Sequence, residues 1–106
     1  MTDTEIIISI IKQIPRGKIS TYKDIALAAG LPNGARQVAR ILHSCSRKHH
    51  LPWHRVIGSG GKISLPESSG GAEQEALLLS EAVCVKTGGR IDLAKYRYQF
   101  TFSQED

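Results

Sequence analysis

Thr21-Tyr22-Lys23-Asp24-Ile25-Ala26-Leu27-Ala28-Ala29-Gly30-Leu31-Pro32-Asn33-Gly34 contains a helix start, an apolar face, a stop and a turn. Thr21 with Asp24 three positions on is a capping-box pattern, in which the hydroxyl accepts from an otherwise unpaired N–H of the first turn. Ile25, Ala26 and Ala29 supply one inner face. Gly30 fits a left-handed helix stop, and Leu31-Pro32-Asn33-Gly34 the connection to the next element. That element is predicted as a helix over residues 35–46. Two short helices joined by a tight glycine-containing turn form a helix-turn-helix.

The second of these helices has two distinct faces. Val38, Ile41, Leu42 and Cys45 recur at i, i+3, i+4, i+7, and Arg36, Arg40, His43 and Arg47 at i, i+4, i+7, i+11. At ~100° per residue the two sets lie on opposite sides. One side packs, with Cys45 as a small core residue. The other is a basic stripe suited to a DNA-recognition helix, or to a solvated helix with no partner.

Outward from this unit, Thr2-Asp3-Thr4-Glu5 is a second capping-box pattern. Ile6, Ile7, Ile10, Ile11 and Ile14 follow at helical spacing and end before Pro15. Arg16-Gly17-Lys18 is a turn. On the other side, Lys48-His49-His50 reads as a solvated loop without further ligands at metal spacing. Val56-Ile57 and Lys62-Ile63-Ser64 flank Gly58-Ser59-Gly60-Gly61, a hairpin signal that would make a wing. A loop over 66–71, a helix over 72–82, a small hairpin over 83–92 and an aromatic-bearing segment over 93–102 complete the expected order. Gln104-Glu105-Asp106 is expected to fray.

The 106 residues are expected to form a single domain spanning 1–106. No apolar run approaches the ~20 residues of a membrane span, and the start has no basic leader. Cys45 and Cys84 make neither a metal pattern nor a disulfide framework, which fits a reduced, cytoplasmic setting. The net charge of +4 is segregated: residues 10–62 hold ten Lys or Arg against Asp24 alone, while the remainder holds four against nine acids. A basic surface for a polyanion is one reading of that asymmetry, and a solvated basic face the other.

Leu51-Pro52-Trp53-His54-Arg55-Val56-Ile57 closely resembles the active-site signature of the O6-alkylguanine-DNA alkyltransferases, Pro-Cys-His-Arg-Val followed by Ile or Val. The segment Ile14-Pro15-Arg16-Gly17-Lys18-Ile19-Ser20-Thr21-Tyr22 resembles the same family, and the likeness runs from about Ile14 to Glu81. The family transfers an alkyl group from damaged guanine to the cysteine, whose place is taken here by Trp53. An indole has no lone pair available for attack and forms no thiolate. A Trp at this place marks the alkyltransferase-like proteins, which bind alkylated guanine in DNA without repairing it.

The resemblance implies a mainly α, winged helix-turn-helix domain with small β-hairpins, like the C-terminal domain of those alkyltransferases. It implies docking in the minor groove. Tyr22 matches the tyrosine that presses on the DNA backbone to rotate the nucleotide, with a core aromatic as the plainer reading. Arg36 matches the arginine that fills the vacated space in the stack, with a phosphate contact as the plainer reading. Arg40 joins them as a DNA-binding residue of the stripe. Trp53, His54, Arg55 and Glu81 are the expected lesion-pocket group. His54 and Glu81 match two members of a Cys-His-Glu hydrogen-bonded set and are read as retained scaffolding. Arg55 is read as structural, through an ion pair or loop carbonyls. Two family positions depart: an Asn that braces the site falls at Cys45, and a Tyr that lines the alkyl pocket falls near Pro66. Some alkyltransferase-like proteins place a lesion-stacking Arg there.

The expected function is therefore non-enzymatic recognition of O6-alkylguanine in double-stranded DNA by nucleotide flipping. It carries handover to nucleotide excision repair proteins, a monomeric state, and no cofactor, metal or membrane partner. Two alternatives stay open: an alkyltransferase using another cysteine, and a sequence-specific helix-turn-helix regulator.

Overall fold

The computed structural model describes residues 2–100. Helix α1 spans Asp3–Ile11. Thr2 Oγ1 accepts from the Glu5 N–H at 3.1 Å, and Glu5 Oε1 accepts from the Thr2 N–H at 3.1 Å, so the capping box closes in both directions. Ile7, Ile8, Ile10 and Ile11 are buried on its inner face, and Ile14 is buried in the turn before Pro15.

A short strand β1, Ser20–Thr21, leads directly into α2, Tyr22–Ala28. Thr21 Oγ1 accepts from the Asp24 N–H at 3.0 Å, as the sequence pattern predicts. The reciprocal half of that box is missing, because Arg97 holds the Asp24 carboxylate through two hydrogen bonds of 2.6 and 2.7 Å. Gly30 stops the helix with φ +77°. At Gly34 an added Cβ would lie 2.9 Å from Leu31 Cβ and 3.0 Å from Leu31 O, so the turn admits only glycine without a shift. Helix α3, Ala35–His49, then runs three residues past the expected Ser46. Nothing between Ser46 and His49 breaks it, and His50 ends it in the left-handed region at φ 51°.

A 3-10 turn over Trp53–Arg55 precedes β2, Val56–Ile57. Here the strand pairing expected for the hairpin is corrected. Val56 and Ile57 do not pair with residues 62–64 but lie parallel to β1, in register Ser20↔Val56 and Thr21↔Ile57. Both are almost fully buried, and a strand covered on both faces is better satisfied inside a parallel pair than on a two-sided hairpin. The turn survives with a single antiparallel bridge, Gly58↔Lys62, and the expected second hairpin likewise closes on one bridge, Lys86↔Arg90.

After a 3-10 turn at Glu67–Ser69, α4 spans Gly71–Ser80, and a one-turn α5 spans Leu93–Tyr96. The helix expected over 72–82 thus ends two residues earlier, and Glu81 is its C-cap residue with its side chain buried. Ile19 bridges Arg97, which fastens the C-terminal segment beside β1. Phe100 packs on the core as expected, whereas Phe102 and the tail 104–106 lie outside the described residues.

The β1–β2 pair separates two apolar clusters. Val56 belongs to the cluster built by α1, α2 and α3, and Ile57 to the one built around Ile19, Leu78, Val83, Ile91 and Tyr96. Adjacent strand residues point to opposite faces, so two consecutive side chains join the two clusters.

Candidate nucleic-acid interface

The Trp53–Arg55 turn is held from behind by Glu81. Arg55 donates Nε to Glu81 Oε1 at 2.9 Å and Nη2 to Oε2 at 2.8 Å, a two-pronged pair. Its remaining Nη1 donates to the Ile14 carbonyl at 2.9 Å. His54 Nε2 lies 2.7 Å from Glu81 Oε2, and the Gly17 N–H donates to Oε1 at 3.2 Å. Burial pushes the Glu81 carboxyl up, but the hydrogen bonds from Arg55, His54 and Gly17 outweigh it and hold the group at about 2. An ionised carboxylate only accepts, so His54 Nε2 carries the proton in this contact. Gln74, buried on α4, donates Nε2 to the carbonyls of His54 at 3.1 Å and Val56 at 2.8 Å, which fixes the same turn from a second helix.

In front of this assembly lies a cleft of about 940 Å³. Trp53 forms part of its wall, with its ring edge-on to His54 at 84° and 6.2 Å between centroids. Tyr22, at the first position of α2, forms another part. His43 and Arg47 from the outer face of α3 line it too, with Leu51 and Gln74. This volume suits a small organic group, since such sites run to roughly 300–1,000 Å³.

The expected residues therefore divide. Tyr22 and Trp53 share the cleft; His54, Arg55 and Glu81 stand behind it and do not line it. Arg36 is exposed in the first turn of α3, outside the cleft. Arg40 borders a separate groove of about 320 Å³ with Cys45 and Thr4. Neither Cys45, Cys84 nor Pro66 lines the cleft. Gln74 and Gly70 were not foreseen as site residues. For Gln74 a signal existed: it lies four positions before the buried Leu78, an amide on an otherwise apolar helix face. Among the described residues no helix is long and apolar enough to cross a membrane.

The family model for the DNA-binding domain of 6-O-methylguanine DNA methyltransferase matches residues 4–83. A DNA base-flipping protein of Vibrio parahaemolyticus is 44% identical over 93 residues, covering 88% of this chain and 92% of that protein. A DNA base-flipping protein of Escherichia coli is 42% identical over 91 residues, covering 86% and 70%. The fold also matches the crystal structure of S. pombe Atl1 in complex with damaged DNA containing O6-carboxymethylguanine, with a TM-score of 0.83 at 33% identity, covering 92% of this chain and 94% of that one.

Proposed function

Because the chain belongs to the 6-O-methylguanine DNA methyltransferase DNA-binding-domain family, in the company of DNA base-flipping proteins, we propose that it binds O6-alkylguanine in double-stranded DNA by flipping the base, without taking the alkyl group. The observation that carries this reading is Trp53 in the cleft wall with no cysteine lining that cleft, taken with the Pro52-Trp53-His54-Arg55-Val56 stretch, which resembles the family's Pro-Cys-His-Arg-Val signature. The flipped base enters beside Trp53, and Tyr22 presses on the backbone of the rotating nucleotide. Arg36 fills the space left in the stack, and Arg40 holds a phosphate. Unstacking a base costs a few kcal/mol, which is the reason for a residue that replaces it. His54, Arg55 and Glu81 keep the motif rigid and move no proton. The protein acts as a monomer, and the bound, bent DNA is the flag handed to nucleotide excision repair proteins.

The test is binding to matched duplexes with and without one O6-methylguanine, followed by the intact mass of the protein. Tighter binding of the modified duplex with no gain of mass is the expected result. Equal affinity would sink the lesion reading in favour of a sequence-reading regulator, and a mass gain on Cys45 or Cys84 would restore the enzyme.

A further inference from the structure

The two glycine turns that follow β2 and α4 come together in an unexpected way. Lys62, from the Gly58–Lys62 turn, bridges Arg90 in antiparallel fashion, and Arg90 bridges Lys86 across its own turn. Directly opposed residues of antiparallel strands project to the same face, so Lys62, Arg90 and Lys86 form one lateral row. The Lys62–Arg90 position is framed by Ile63 N–H to Gly89 O at 2.9 Å and Ile91 N–H to Gly61 O at 2.8 Å. It is therefore the closer, non-hydrogen-bonded kind of pair, with Cα atoms about 4.5 Å apart. The alternation of the strands fixes the direction. Ile63 and Ile91 pack into the second apolar cluster, which turns their neighbours Lys62 and Arg90 outward.

All three cations are exposed. Among the described residues none of them pairs with a carboxylate. Asp92 is the nearest acid along the chain, and its Oδ1 accepts from the Ala94 N–H to cap α5. Like charges set directly opposite each other destabilise a sheet. The fold tolerates that cost at two adjacent bridges, outside α3.

We propose that the Lys62–Arg90–Lys86 row is a second DNA-contacting surface, which binds phosphates of the duplex flanking the flipped nucleotide. The inference rests on the DNA-binding reading above. A linear row of exposed cations suits a polyanionic strand better than a single small anion. The strand's phosphates relieve the repulsion, and the condensed counterions they release make the contact salt-dependent. The row reads no base, so it adds affinity without lesion preference.

The test compares wild type with the Lys62→Gln/Lys86→Gln/Arg90→Gln variant on the same modified and unmodified duplexes across a salt series. Each phosphate contact contributes about 0.9 to the slope of log K against log salt, so the variant's slope is expected to fall by about 2–3. The affinity ratio between modified and unmodified duplex is expected to stay the same, and thermal stability of the free protein to stay level or rise. A second variant, Lys62→Glu, places an opposite charge across from Arg90. It is expected to stabilise the free protein while weakening DNA binding. An unchanged slope would overturn the proposal, as would loss of folding stability in both variants, which would make the row structural. Failure of wild type to prefer the modified duplex would remove the lesion reading alone, since the slopes on plain duplex still decide the row.

Discussion

Glu81 and the outer face of α3 both concentrate charge, and the fold treats them in opposite ways. Around Glu81 each charge is used internally. Glu81 is 8% exposed, and its carboxylate receives hydrogen bonds from Arg55, His54 and the Gly17 N–H. Arg55 also donates Nη1 to the Ile14 carbonyl. On α3, Arg36, Arg40, His43 and Arg47 all stand exposed, and among the described residues none pairs with a carboxylate. Buried charge requires local compensation because an unpaired ion in the interior is costly, whereas exposed charge stays solvated until a partner arrives. The first region should therefore govern stability, and the second binding.

The largest break in that division should come from Glu81→Ala. It leaves the partly buried Arg55 guanidinium without its carboxylate, and the expected loss is about 3–5 kcal/mol of unfolding free energy, measured by urea titration. A loss below about 1 kcal/mol would mean that the cluster is not what fastens the motif.

Acid titration sharpens the same contrast. The folded-state pKa of Glu81 is depressed from 4.5 to about 2, so its contribution is fully present above pH 4.5 and disappears as pH falls from there towards 2. The amount is on the order of 3 kcal/mol, since one pKa unit corresponds to about 1.4 kcal/mol. Glu81→Gln should flatten the urea midpoint against pH over this window, and an equally steep profile in that variant would assign the acid sensitivity elsewhere.

On the α3 side the signs should reverse. Arg36→Ala is expected to cost about 1–3 kcal/mol in binding to O6-methylguanine DNA, while stability stays within about 0.5 kcal/mol of wild type. If Tyr22 has the proposed role, Tyr22→Phe should weaken binding less than Tyr22→Ala, because a ring able to press on the backbone remains. Normal binding by Arg36→Ala would remove the intercalation role.

The smallest expected effect belongs to Trp53→Cys. A sulfur beside His54 and Glu81 looks like a restored enzyme, yet little or no alkyl transfer is expected. Attack needs the sulfur within roughly 3–3.5 Å of the alkyl carbon and in line with the breaking bond. The substitution opens a cavity in a cleft that neither Cys45 nor Pro66 lines, so the base can sit out of reach. Intact-protein mass spectrometry after incubation with O6-methylguanine DNA decides it: rapid stoichiometric methylation of the variant would make the missing sulfur the whole difference.

Much of the architecture could be read from short stretches of sequence. The Thr2 and Thr21 caps, the Gly30 stop and the two faces of α3 all occur where their residues place them. Each depends on hydrogen bonds or periodicity within a few residues, which a linear pattern records. The reading of Trp53 as standing where the family carries its cysteine is equally a matter of sequence, as is the motif around it. The contact between His54 and Glu81 was expected from the motif, and an ion pair or a loop carbonyl for Arg55; that Arg55 makes both, to Glu81 and to Ile14, and that the Gly17 N–H completes the set, were not.

Tertiary structure decided which partner β2 takes, which residues face the cleft and which charges become neighbours. Val56-Ile57 could pair locally with 62–64, but burial on both faces favoured β1, more than thirty residues earlier in the chain. Gln74 reaches the motif carbonyls because α4 lies against that turn. Lys86 and Arg90 belong to the acidic remainder of the sequence, yet the paired turns set them beside Lys62 from the basic part. Such choices depend on which surfaces exclude water together once the chain has collapsed, and that competition among distant segments leaves no periodic trace along the sequence.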